Sequence, residues 1–165
     1  GGGTRRMRWL WVGILLIAHA PLAAALAAAA EHVYACAPER AGAQLRVLDV
    51  QPDSDTQANV ATARGLLREI DSGGGVLVLT DAFGASPGNV ATLLAEPGRV
   101  AVIAGVNLPM LLRALCYRDG SLAEATEKAL AGGAQGVMQV ASTAVQHQGL
   151  RPTQGDDLAQ LHHQQ

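Results

Sequence analysis

RMRWLWVGILLIAHAPLAAALAAAA, residues 6–30, decides how the rest of the 165-residue chain is read. Its basic lead, apolar middle and alanine-rich end suit an export signal, or a spanning helix of about 20 apolar residues. His19 and Pro21 do not suit either, because both would fall near the middle of the span. The alternative is an apolar strand over 12–18 that runs up to His19. A helix over 21–35 would follow, with Pro21 in its first turn, where the missing N–H costs nothing. A signal asks nothing of the remaining sequence, whereas a buried strand needs a sheet to enter.

The remaining sequence supplies that sheet. Short apolar runs recur at 45–50, 76–80 and 100–105, with a weaker one at 136–141. Helical patterns separate them at 55–70, 88–94, 108–117 and 122–131. The run VLVLT at 76–80 is apolar on both faces and β-branched at alternate positions, as a buried parallel strand should be. Acidic residues open the helix at 55 and the glycine triplet Gly73–Gly75 closes it. Ser121 with Glu124 forms a capping box, and Gly132-Gly133 is expected to end the last helix. Alternating strands and helices of this length predict an α/β fold. It is a doubly wound, mostly parallel sheet of order 2-1-3-4 with helices on both faces, plus a C-terminal antiparallel fifth strand. In that setting residues 12–19 are the central strand, and the export reading loses its ground.

Composition agrees. Hydrophobic residues make up 49% of the chain, yet it has one Phe, two Tyr and two Trp, so Leu, Val, Ile and Ala must build the core. A net charge of −2, with one basic cluster at Arg5, Arg6 and Arg8, argues against nucleic-acid binding. Cys36 and Cys116 match no metal or redox spacing and read as two reduced thiols. The expected organisation is a non-native or disordered lead over 1–6, one domain over 7–145, and a mobile polar tail over 146–165. His162 and His163, in that tail, lack the further ligands a metal site needs.

The richest stretch chemically is VLVLTDAFGASPGNVATLL, residues 76–94: a strand, a Gly/Ser/Pro loop and a helix start. Gly84-Ala85-Ser86-Pro87-Gly88 matches the G-x-S-x-G nucleophile elbow, but there the residue after the serine must donate its N–H to an oxyanion, and Pro87 has none. There is no G-x-x-x-x-G-K-[ST], and Gly73–Gly75 precede their strand, the wrong end for a dinucleotide fingerprint. An anion-binding loop fits better, with backbone N–H groups over 84–86, the Ser86 hydroxyl and the helix start surrounding a phosphate. In a 2-1-3-4 sheet, strands one and three are neighbours at the switch point where ligands bind. His19 ends the first and Asp81 follows the third. An imidazole can accept a phosphoryl group on one nitrogen while a carboxylate holds the proton on the other. Loop N–H groups and two helix dipoles would offset the incoming charge.

At VGILLIAHAPLAAAL, VLVLTDAFGASPGNVA and GVNLPMLLRAL, in this order, the chain resembles the mannose/fructose-class IIA proteins of the bacterial phosphotransferase system. The likeness covers about residues 8–141. It implies an α/β fold and a cytoplasmic phosphotransferase active as a homodimer, in which the C-terminal strand crosses to the partner's sheet. It also implies that His19 accepts a phosphoryl group from the carrier HPr and passes it to a IIB component or a regulatory target, without cofactor or metal. Nucleic acid has no part in this, and the membrane is reached only through a permease complex. By motif position Asp81 would be the hydrogen-bond partner of His19. Phe83, Gly84, Ala85 and Ser86 would contact the phosphate, with Asn107 as a further lining residue. The family commonly has T-H-G and FGGSP where this chain has Ala18-His19-Ala20 and Phe83-Gly84-Ala85-Ser86-Pro87. Losing a hydroxyl at 18 and backbone freedom at 20 and 85 bears on transfer rate and acceptor.

Overall fold

The apolar run of residues 12–19 is the central strand of a parallel sheet. The protein is seen in a computed structural model that describes residues 10–141. Its strands β1 (Gly13–His19), β2 (Leu45–Val50), β3 (Val76–Thr80) and β4 (Val100–Ala104) lie in the order β2-β1-β3-β4. All three pairings are parallel, with Ile14 beside Leu45 on one side and Leu77 on the other. No helix among the described residues is long and apolar enough to cross a membrane.

Strand β1 is buried up to Ala18 because both of its faces are covered. Val12, Ile14, Leu16 and Ala18 point into one core, which is closed by α1 (Leu22–Val33), α5 (Leu108–Cys116) and α6 (Leu122–Gln135). Leu15 and Ile17 point into a second, beneath α3 (Thr56–Ile70) and α4 (Ser86–Thr92). This two-sided burial selects a continuous apolar strand over an alternating one. In α1 the buried positions are Ala23, Ala27 and Ala30, a stripe of small side chains that lets the helix lie close on the sheet.

Several boundaries differ from the sequence reading for physical reasons. A short helix, α2 (Pro38–Gly42), was not foreseen; five residues are too few to show a helical period. Helix α4 starts at Ser86 rather than Gly88, because Pro87 is tolerated in a first turn. Gly132 and Gly133 do not end α6, which runs on to Gln135. They sit instead where α6 meets α5: a Cβ on Gly132 would stand 2.8 Å from the Arg113 Cβ. The glycines here serve close helix approach, not termination. Asp55 and Ser121 cap as expected, accepting the N–H groups of Ala58 at 2.8 Å and Glu124 at 3.1 Å.

The chain divides into two units, residues 1–134 and 135–165. In the second, residues 137–141 have no regular secondary structure, so the expected fifth strand at 136–141 is not formed within the single chain. An antiparallel strand needs a partner edge, and the sequence expectation took that edge from a second copy. The expected lead over 1–6 and the tail over 146–165, with His162 and His163, lie outside the described residues.

Two buried polar groups stand out. At the start of β1, Arg118 is fully buried and donates hydrogen bonds to the carbonyls of Val12, Arg40 and Gln44. At the other end of the sheet, Thr80 is buried and its hydroxyl has no hydrogen-bond partner among the described residues. Valine has nearly the same shape and no hydroxyl to desolvate. Thr80→Val is therefore expected to raise stability by about 1 kcal/mol, read as an upward shift of the urea midpoint at unchanged m-value.

Candidate active site

His19 and Asp81 meet at the carboxyl end of the sheet because β1 and β3 are neighbours there, with Ile17 in register with Thr80. The His19 ring Nδ1 lies 2.7 Å from Asp81 Oδ2, and the His19 backbone N–H donates to the same oxygen at 2.9 Å. Asp81 Oδ1 accepts the N–H of Ala82 at 3.0 Å. One carboxylate thus fixes both the main chain and the ring of His19. A carboxylate only accepts, so Nδ1 carries the shared proton and the Nε2 lone pair is left free. The His19 side chain is 56% exposed, against 13% for Asp81. The ring is thus the exposed member of the pair and the carboxylate the shielded one. Burial by itself would raise the Asp81 carboxyl, but the His19 amide, the ring hydrogen bond and the ring charge outweigh it and hold Asp81 below the ordinary carboxylate range.

The loop after Asp81 is shaped by its glycines. Gly84 has φ of +89°, in the left-handed region that favours glycine. Gly88 allows α4 to approach the loop closely, since a Cβ there would overlap the Ala82 carbonyl oxygen. Ala85 is the N-cap of α4 and Ser86 its first residue. Among the described residues, the backbone N–H groups of Gly84 and Ser86 have no acceptor. Phe83 projects from the loop with 84% of its surface exposed.

Asn107 stands apart from this group in its bonding. Its Oδ1 caps α5 through the Met110 N–H at 2.9 Å, and its Nδ2 donates to the Gly133 carbonyl at 3.0 Å. Both polar ends of the side chain are committed to joining α5 and α6. Helix α1 likewise differs from expectation. Two of its first N–H groups are taken by Asp49 of β2, at 2.8 Å from Ala23 and 3.3 Å from Ala24, while that of Leu22 has no acceptor among the described residues. The α1 end of the site is thus already partly occupied by a carboxylate. Asp49 was missed by sequence reading. The available signal was a carboxylate near the end of the otherwise largely apolar run LRVLDV. Among the described residues no group of three or more His, Cys, Asp or Glu side chains could hold a metal ion. Cys36 and Cys116 are exposed free thiols.

Residues 13–131 match the family of the PTS system fructose IIA component, EIIA-man. The chain is 32% identical over 102 residues to the mannose-specific EIIAB component of the phosphotransferase system of Escherichia coli K12. That match covers 60% of this chain and 32% of the relative, so the chain spans about a third of the length of that curated protein. Among solved structures, the PTS IIA protein associated with the fucose utilization operon of Streptococcus pneumoniae aligns with a TM-score of 0.66 at 25% identity, covering 78% of this chain and 92% of that one. The mannose/sorbose-specific IIA subunit from Enterococcus faecalis aligns at 0.68 and 22% identity, covering 80% and 96%, and shows the shared fold. With β1 ending on His19 and β3 followed by Asp81 inside the matched segment, the chain belongs to the EIIA-man family of phosphotransferase-system IIA components.

Proposed function

We propose that this protein is a phosphohistidine carrier of the phosphotransferase system. It takes a phosphoryl group from HPr on His19 and passes it to a IIB component or a regulatory target. The observation that carries the reading is the His19 Nδ1–Asp81 Oδ2 bond of 2.7 Å beside an exposed ring. The Nε2 lone pair attacks the phosphorus of the phosphorylated donor. The donor's P–N bond breaks, and its electron pair returns to the donor imidazole. The Nδ1–H stays with Asp81 throughout, so the charge that develops on the His19 ring is met by a carboxylate already in place. Gly84, Ala85 and Ser86 hold the phosphoryl oxygens through backbone N–H groups and the Ser86 hydroxyl, and Phe83 shields one side of the loop. Positioning and electrostatics are most of what this transfer asks of a protein. Asn107 acts by holding the sheet end to α5 and α6.

Incubation with phosphorylated HPr is the test. The wild type is expected to take up one acid-labile phosphate per chain, and His19→Ala none. Equal labelling of both would sink the reading. The protein works in the cytoplasm as a homodimer, a state supported by the outer edge of β4, which among the described residues pairs with no further strand beyond the single Glu96–Val100 bridge. A monomer by sedimentation at micromolar concentration would remove that part.

A further inference from the structure

Asp49 takes no part in the His19–Asp81 pair, yet it governs the segment that follows His19. It stands on β2 in register with Ala18, one residue before the partner of His19. Its two oxygens accept the N–H groups of Ala23 at 2.8 Å and Ala24 at 3.3 Å. Helix α1 has no cap of its own, since Pro21 at the N-cap offers no side-chain acceptor. The next residue of β2, Val50, adds a second hold by accepting the Ala20 N–H at 3.0 Å. His19 is therefore anchored from β3 through Asp81, and the residues just after it are anchored from β2.

Charge adds a second consequence. The open N-terminus of a twelve-residue helix attracts anions, and α1 begins three residues beyond His19. A phosphoryl dianion on His19 would compete for those N–H groups if they were free. Asp49 already fills two of them, those of Ala23 and Ala24, with a group of like sign.

We infer that Asp49 is a positioning residue for His19 that also keeps the start of α1 closed to the phosphoryl group, so that the group stays easily removed. This rests on the phosphohistidine reading of His19. The group lost is inorganic phosphate: water attacks phosphorus and the P–Nε2 bond breaks. The bonding pair returns to Nε2, which restores the ring with its proton on Nδ1, and the protons of the attacking water leave with the phosphate. Removing the negative charge at Asp49 lets α1 stabilise the phosphorylated state and slows this loss.

The test loads His19 chemically with phosphoramidate, a small phosphoryl donor to imidazole, and follows phosphohistidine by phosphorus NMR at neutral pH. Asp49→Asn keeps one acceptor, for the Ala23 N–H, sets its NH2 against the weaker Ala24 contact and loses the charge. Its phosphohistidine half-life is expected to lengthen about two- to fivefold, with a smaller loss of melting temperature than in Asp49→Ala. Asp49→Ala loses the acceptor as well and is expected to load more slowly than Asp49→Asn, which shows the positioning role by rescue. A half-life in Asp49→Asn equal to that of the wild type would overturn the inference, as would equal loading of the two variants. Because the donor is a small molecule, failure of transfer from phosphorylated HPr would count against the proposed function alone.

Discussion

Asp81→Asn is expected to slow phosphoryl uptake by about a hundred- to ten-thousandfold while leaving His19 in place. Both oxygens of Asp81 accept from N–H donors: Oδ2 from the His19 ring and amide, Oδ1 from the Ala82 amide. An asparagine has one accepting oxygen and one donating NH2. If the oxygen faces His19, the NH2 meets the Ala82 N–H. If the oxygen faces Ala82, the NH2 meets the His19 amide and drives the ring toward the tautomer with its proton on Nε2. Either arrangement sets donor against donor, and the second also removes the lone pair that must attack. The initial rate of label uptake from phosphorylated HPr measures the effect. A rate within threefold of wild type would show that Asp81 does not orient the ring. The same pair shapes the acid limb of stability. Because the folded-state carboxyl lies below its ordinary value, its contribution is fully present above that ordinary value. It is lost as pH falls through the lowered folded-state value, so the acid limb of the wild type should be steeper than that of Asp81→Asn.

The fold was legible where one residue broke a pattern, and illegible where a contact joined distant segments. His19 stood out as the one charged-type residue inside an apolar run, and its place at a strand end followed once the later runs were seen to need a central strand. Asp81 stood out because it follows VLVLT directly. Asp49 carried no comparable mark: its partners Ala23 and Ala24 lie more than twenty residues away, and strand register alone brings them together. Gly132 and Gly133 were misread because two adjacent glycines signal a helix end equally well whether or not a neighbouring helix presses on them. What pressed on them, Met110 and Arg113, is a tertiary fact. The carboxylate at the α1 end was hidden for the same reason, since Asp49 comes from another strand.

Arg118→Met is expected to destabilise the protein by about 3–5 kcal/mol, the largest stability effect of any single substitution at a buried polar group here. In the sequence Arg118 sits in CYRDGS, between the helical patterns at 108–117 and 122–131. In the fold it is fully buried, and its guanidinium donates to the Val12 carbonyl at 3.1 and 3.2 Å, Arg40 at 3.0 Å and Gln44 at 2.9 Å. These carbonyls belong to the entry to β1, the short helix α2 and the turn before β2. One planar group with fixed donor directions therefore ties the short helix α2 to the entry of β1 and to the turn before β2, two segments that the Ile14–Gln44 backbone bond already links. Burial, and less strongly the charge of Arg40, push its pKa down to about 10, so it remains a cation at neutral pH. The Trp11 ring beneath it, 5.5 Å from the guanidinium carbon, supplies a face to that charge. Methionine fills similar volume and answers none of the carbonyls: Gln44 keeps the Ile14 N–H at 2.9 Å, while Val12 and Arg40 lose the donors that Arg118 supplied. The backbone bond from Val12 N–H to the Arg118 carbonyl, at 2.8 Å, survives the change, so the measured loss belongs to the side chain. Arg118→Lys keeps the charge but has one donor centre, and is expected to recover less than half of the loss. Urea denaturation followed by Trp fluorescence reads both variants, and a change below 1 kcal/mol for Arg118→Met would show that the Val12 and Arg40 carbonyls find other donors. Because Arg118 lies at the amino end of β1 and His19 at its carboxyl end, phosphoryl uptake by folded Arg118→Met should match the wild type. Stability and transfer are thereby separated at the two ends of one strand.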